Sequence, residues 1–189
     1  MLLISITKGV LRMKANNKNL IRSVYAALCL ALAMVLPLLT GQIQVIGKML
    51  CPMHLPVLLC GFICGWPWGL AVGFISPLLR FAIFGMPPIM PDGIPMAFEL
   101  AVYGLVSGLL YRKFKKSTAN VYLTLLISML AGRIASCFVK MAVAGVSGNV
   151  FSFSAFFAGV VTKAVPGIIL QLVLIPAIII ALDKAKLIP

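Results

Sequence analysis

No Asp, Glu, Lys or Arg interrupts the chain between Arg22 and Lys48, between Lys48 and Arg80, or between Lys163 and Asp183. A helix crosses a bilayer with roughly 20 apolar residues, whereas a soluble domain needs about a quarter of its residues charged. Here 10% of the residues are charged and 62% are apolar. The chain therefore reads as an all-α integral membrane protein. Spanning β-strands would be short and would alternate apolar with polar positions, and these runs are too long and continuous for that. Residues 1–189 form a single membrane domain, a six-transmembrane-helix bundle at about 20 residues per span.

Breaks in the apolar pattern place spans at about 21–39, 54–66, 68–84, 93–111, 119–141 and 155–182, behind a basic segment at about 1–20. Pro67, between Gly65 and Gly69, turns the second span into the third. Pro87, Pro88, Pro91 and Pro95 precede the fourth, and Gly145, Gly148 and Asn149 precede the sixth. The run that starts at Val24 leads into Thr40-Gly41-Gln42-Ile43. It lacks a small-x-small cleavage pattern, so it is read as a retained first span, not a signal peptide. Met13 offers a second start.

Orientation follows from the basic residues beside the span ends. Lys8, Arg12, Lys14, Lys18 and Arg22 precede the first span. Arg112, Lys113, Lys115 and Lys116 separate the fourth from the fifth, and Lys184 and Lys186 follow the sixth. Six spans with both termini cytoplasmic put all of these on one side and leave Lys48 alone opposite them. Five spans would split the clusters across both faces. The net charge of +13 is thus explained by membrane topology, and nucleic acid is not an expected partner.

Charges within spans cost several kcal/mol unless they are paired, hydrated or lining a cavity, which makes Arg80, Glu99, Arg133 and Lys163 the most informative residues. At 1.5 Å per residue they lie about 6, 9, 12 and 12 Å below the outer ends of their spans. Four spans thus bring charge to the outer half of the bilayer. Two readings stand side by side. The residues line an outward-facing, net positive pocket suited to a carboxylate-bearing ligand, which arginine grips bidentately. Alternatively, Arg80 snorkels outward, as Lys140 does, while Arg133 or Lys163 pairs with Glu99. His54 at the outer start of the second span, Tyr103 one turn from Glu99 on the same face, and Asn149 in the last outer loop are further candidates for substrate contact. Gln171 is one more polar group, two turns below Lys163. Trp66 and Trp68 suit an interfacial aromatic belt.

Other chemistries find no residues. No Walker A motif is present, so the chain does not itself bind ATP through a P-loop. Three acids and one histidine assemble neither a metal centre nor a Ser-His-acid triad. Cys29, Cys51, Cys60, Cys64 and Cys137 read as small packing residues. No enzymatic activity, cofactor or metal is expected. On the first span, Ala27 and Ala31 have the small-xxx-small spacing that lets helix backbones approach in lipid. Gly65, Gly69 and Gly73, and Gly104 with Gly108, repeat it, so packing within the bundle explains the motif equally well.

These parts resemble the substrate-binding S components of energy-coupling factor (ECF) vitamin transporters, ABC importers with six-span capture subunits. The resemblance is carried by Ala27 and Ala31, by His54-Leu55-Pro56-Val57-Leu58-Leu59-Cys60-Gly61-Phe62-Ile63-Cys64-Gly65 with Gly69, Gly73 and Pro77-Leu78-Leu79-Arg80, and by Met96-Ala97-Phe98-Glu99-Leu100 with Tyr103-Gly104-Leu105. It implies capture of a water-soluble vitamin from outside, in the plasma membrane of a prokaryote. It also implies docking, through Ala27 and Ala31, on a transmembrane coupling subunit driven by two ATPase subunits. Within the family the chain looks most like the pantothenate/pyridoxine-type branch. The net positive cluster then makes pantothenate the expected ligand, with pyridoxine, folate or a queuosine precursor as alternatives. A stand-alone secondary transporter and a membrane assembly subunit are the rival classes.

Overall fold

The computed structural model describes residues 2–39, 50–115, 117–146, 152, 154 and 165–185, with first-helix side chains described from Lys18 to Leu38. The helices are α1 (Leu2–Leu39), α2 (His54–Cys64), α3 (Trp66–Phe84), α4 (Ile94–Lys113), α5 (Thr118–Val146) and α6 (Val165–Lys184). A short π-type turn, Ile89–Gly93, leads into α4. No strand occurs among the described residues. Five helices are long and apolar enough to cross a membrane, α1 doing so over Lys18–Leu38, and α2 is a shorter apolar helix. α1 starts well before its expected span because the basic segment before Leu20 contains no proline to stop it. α5 likewise continues to Val146, as it contains no proline.

α2 holds the middle of the molecule. It is apolar on every side and buried at His54, Cys64 and nearly every residue between them, the pattern of a helix enclosed by others. α1, α3 and α4 surround it, and α6 completes the enclosure. Its 11 residues extend only about 16 Å, roughly half of a ~30 Å hydrocarbon core. The chain reverses at Gly65, whose φ of 93° belongs to glycine. A Cβ there would also meet the Arg112 guanidinium, which donates to the Cys64 carbonyl at 3.2 Å. That cation satisfies the carboxyl end of α2, where the helix dipole favours positive charge.

The α3–α4 seam is glycine-made. A Cβ on Gly104 would run into the Gly69 carbonyl, one on Gly73 into the Leu100 carbonyl, and one on Gly108 into the Trp66 amide. In lipid such close backbone approach is what drives helix association, so the glycine spacings of these two helices serve internal packing. Pro77 removes the amide that would bond the Gly73 carbonyl, and the neighbouring Ser76 hydroxyl donates to that carbonyl at 3.4 Å.

The seam yields a prediction. Replacing Gly104 by alanine is expected to prevent recovery of folded, monodisperse protein. Overpacking costs about 1–3 kcal/mol even where side chains yield, and here backbone would have to move. Gly145→Ala, where a Cβ meets nothing within 4 Å, is expected to match wild type. Size-exclusion profiles of the two variants check this, and a monodisperse Gly104→Ala protein with wild-type melting would refute it.

Candidate functional site

The backbone from Cys51 to Met53 is not helical, yet Cys51 and Met53 are 8% and 3% exposed. It leads directly into His54, which contacts Glu99, and Glu99 lies about 8 Å along the axis from the first residue of α4. Irregular backbone at membrane depth is tolerated only where protein buries it or where it lines a cavity. Cys51 adopts φ 48°, and its carbonyl accepts the His54 amide at 3.0 Å. This segment and the amino end of α2 form one wall of the site.

Glu99 is its centre. The Tyr103 hydroxyl, one turn along α4, donates to Glu99 Oε1 at 3.0 Å. Arg133 Nη1 of α5 lies 3.2 Å from the same oxygen, and His54 Nε2 of α2 lies 3.6 Å away. The Ser136 hydroxyl on α5 also bonds the carboxylate, and the Cys51 thiol lies against the Arg133 guanidinium. The His54 and Tyr103 rings meet edge-on with centroids 5.4 Å apart. Tyr103 fits because α5 has a notch opposite it, where a Cβ on Gly132 would strike the Tyr103 ring. The carboxylate thereby has the donors that a buried charge requires. Arg133, with 18% of its side chain exposed against 8% for Glu99, is the outermost charged member of the pair.

The sequence candidates therefore divide. His54, Glu99, Tyr103 and Arg133 come together. Arg80, 4% exposed, turns toward α1, where its Nη1 donates to the Met34 carbonyl at 3.0 Å and its guanidinium lies 5.3 Å from the Phe84 ring centroid. It is tied to the first helix and makes no ion pair with Glu99. Lys163 and Asn149 lie outside the described residues. Within the described cluster Arg133 faces Glu99 at 3.2 Å; the net positive pocket expected from the sequence also counts Lys163, outside the described residues. Lys140, expected to snorkel, pairs with Asp92 of the π-type turn at 3.6 Å, fastening α5 to the start of α4. Arg133 stands about 20 Å along the axis from the carboxyl end of α5, which runs past its expected bound.

Cys51, Gly132 and Ser136 are the site members that sequence reasoning missed. Ser136 had a usable signal, since it lies three residues after Arg133 and so shares its helix face. Cys51 had none, because its role depends on an irregular backbone.

On α1 the small residues separate by face. Ala26, Cys29 and Ala33 are 3%, 6% and 0% exposed, whereas Ala27 and Ala31 face outward among the exposed Leu28 and Leu32. Among the described residues no group of His, Cys, Asp and Glu could hold a metal ion.

Residues 21–179 match the family model described as ECF transporter, substrate-specific component. No curated protein and no solved structure matches the chain.

Proposed function

The chain belongs to the family of ECF transporter substrate-specific components, and on that premise we propose that it captures a water-soluble vitamin or related micronutrient at the Glu99 cluster. It is a multi-pass membrane protein, and its place is the plasma membrane of a prokaryote, with six spans and both termini cytoplasmic. The observation that carries the reading is the convergence of His54, Glu99, Tyr103 and Arg133 beside buried, non-helical backbone. Irregular backbone at membrane depth is tolerated where protein buries it or where it lines a cavity, and beside a charged cluster it suits the wall of a binding site. Asn149 and Lys163 are further proposed substrate contacts. Arg80 serves it indirectly by holding the outer part of α1.

The captured solute is handed on through partners. Ala27 and Ala31 form the face that docks on a transmembrane coupling subunit, and two ATPase subunits supply the energy. The chain itself is not an enzyme, which suits its lack of a P-loop.

Pantothenate remains the first acid to try, with Arg133 as its partner. The balance of Arg133 by Glu99 makes pyridoxine, a neutral alcohol, the informative competitor, followed by folate and a queuosine precursor. A thermal-shift screen of the detergent-purified chain separates these. A true ligand at 100-fold its Kd stabilises the folded state by about 2.7 kcal/mol, a shift of about 5–11 °C for a chain of this size. Stabilisation by pantothenate would support the acid reading. Stabilisation by pyridoxine alone would keep the capture role and remove the acid. No shift with any vitamin, in a chain that still assembles with partners, would favour an assembly subunit.

A further inference from the structure

Two buried acceptors, one of them in the cluster, have no partner. His54 is 4% exposed and Gln171 is 2% exposed, yet His54 Nδ1 and the Gln171 side-chain oxygen make no hydrogen bond. Leaving such an atom unpaired in a dry interior costs about 1–3 kcal/mol, so a partner is expected in the working state.

The two side chains lie on helices that pack together. Gln171 shares a buried stripe of α6 with Gly167, Ile175 and Ile179, and α6 packs against α2 and α5, the helices that carry His54 and Arg133. Its height also agrees. Lys113 and Thr118 mark one end of the helices, since α4 and α5 join there, and with both termini cytoplasmic, as proposed above, Lys184 marks it too. Measured from that end, Glu99, Arg133 and Gln171 all stand about 20–22 Å along their axes. Thr124 Oγ1 is a third unpartnered atom, but it lies only about 9 Å from that end and belongs to a different level.

We propose that Gln171 and His54 form a subsite for the neutral, hydrogen-bonding part of the ligand, hydroxyl or amide groups that together donate one hydrogen to each acceptor. The inference rests on the capture reading and deepens it. Glu99 engages Nε2 of His54, which leaves Nδ1 as the acceptor. Glu99 is itself filled by Tyr103, Arg133, His54 and Ser136, so it orients the others and is not the group that meets the ligand. Gln171, which carries no charge, becomes a specificity residue: its carboxamide favours polyhydroxylated or amide-bearing solutes over apolar ones of the same size.

The test compares wild type with Gln171→Leu and Gln171→Asn, using pantothenate and pyridoxine as probes, by equilibrium binding and by melting without either probe. Gln171→Leu is expected to melt at or above the wild-type temperature, since an unpaired buried amide becomes apolar, while affinity for whichever probe wild type binds falls at least 10-fold. Gln171→Asn, shorter but still polar, should lose less. Unchanged affinity in Gln171→Leu would overturn the subsite while leaving the capture role standing. Failure of both variants to fold, or a large loss of melting temperature without a probe, would make Gln171 structural and overturn it too. If neither these probes nor any other vitamin binds wild type, the capture reading falls and the subsite with it.

Discussion

Glu99→Ala is expected to lower the melting temperature of the ligand-free protein by on the order of 10 °C. The reason is the company the carboxylate keeps. Arg133 is held 3.2 Å from it, and the Tyr103 hydroxyl has it as acceptor at 3.0 Å. Removing one partner of a buried pair costs about 3–5 kcal/mol, because the other charge is left uncompensated, and a chain of this size loses about 2–4 °C per kcal/mol. The membrane gives Arg133 few alternatives, since Lys140 already occupies Asp92. Glu99→Gln should cost less, because the amide oxygen still accepts from Tyr103. The decisive comparison is the double variant Glu99→Leu/Arg133→Met. If the loss comes from a stranded charge, removing both partners should recover most of it. A double variant as unstable as Glu99→Ala would show that the carboxylate acts through shape or through Tyr103 instead. A Glu99→Ala protein that melts like wild type would remove the pair from any role in stability.

What was legible in the sequence was mostly depth. Charge-free runs longer than a bilayer crossing mark the membrane helices, and the interval between Glu99 and Tyr103 places both on one face of α4. Arg133 stood out for the same reason as Glu99, a charge within an apolar span. Azimuth was not legible. Arg80 lies at a sensible depth, but the rotation of α3 turns it to the Met34 carbonyl of α1, and nothing in the spacing of one helix reports how it is rotated against another. The glycine repeats illustrate the same limit. Their spacing is that of Ala27 and Ala31, and only the packed structure separates an inward seam from an outward face.

Irregular backbone was the other hidden feature. The short α2 and the irregular Cys51–Met53 segment before it sit where α1, α3 and α4 crowd around a half-length helix. Local composition did not announce Cys51 as a neighbour of Arg133, since a cysteine in an apolar run reads as packing. Gly132 is similar: it matters because Tyr103 fills the space above it, a relation between two helices that neither encodes alone.

The alanine face of α1 carries the second large effect. Ala27→Trp and Ala31→Trp are each expected to abolish transport and assembly with the coupling subunit while leaving solute binding by the isolated chain unchanged. Both positions point away from the helical body, so an indole there meets lipid or a partner and displaces nothing inside. Helix contacts in a bilayer depend on close backbone approach through small residues, and a tryptophan at the crossing point holds the partner helix off. Position on the helix sets the controls. Val173→Trp, at a site 63% exposed on α6, adds the same bulk to another outward face and should preserve binding, assembly and transport. Ala33→Trp, at a site 0% exposed, should fail to fold, because there the ring has only packed protein to enter. The readouts are co-purification with coexpressed partner subunits, uptake in cells, and ligand-induced thermal shift of the chain alone. Assembly that survives both Ala27→Trp and Ala31→Trp would place the docking surface on another helix. Loss of the thermal shift together with assembly would mean that α1 shapes the binding site, an outcome the Arg80 bond to Met34 would then explain.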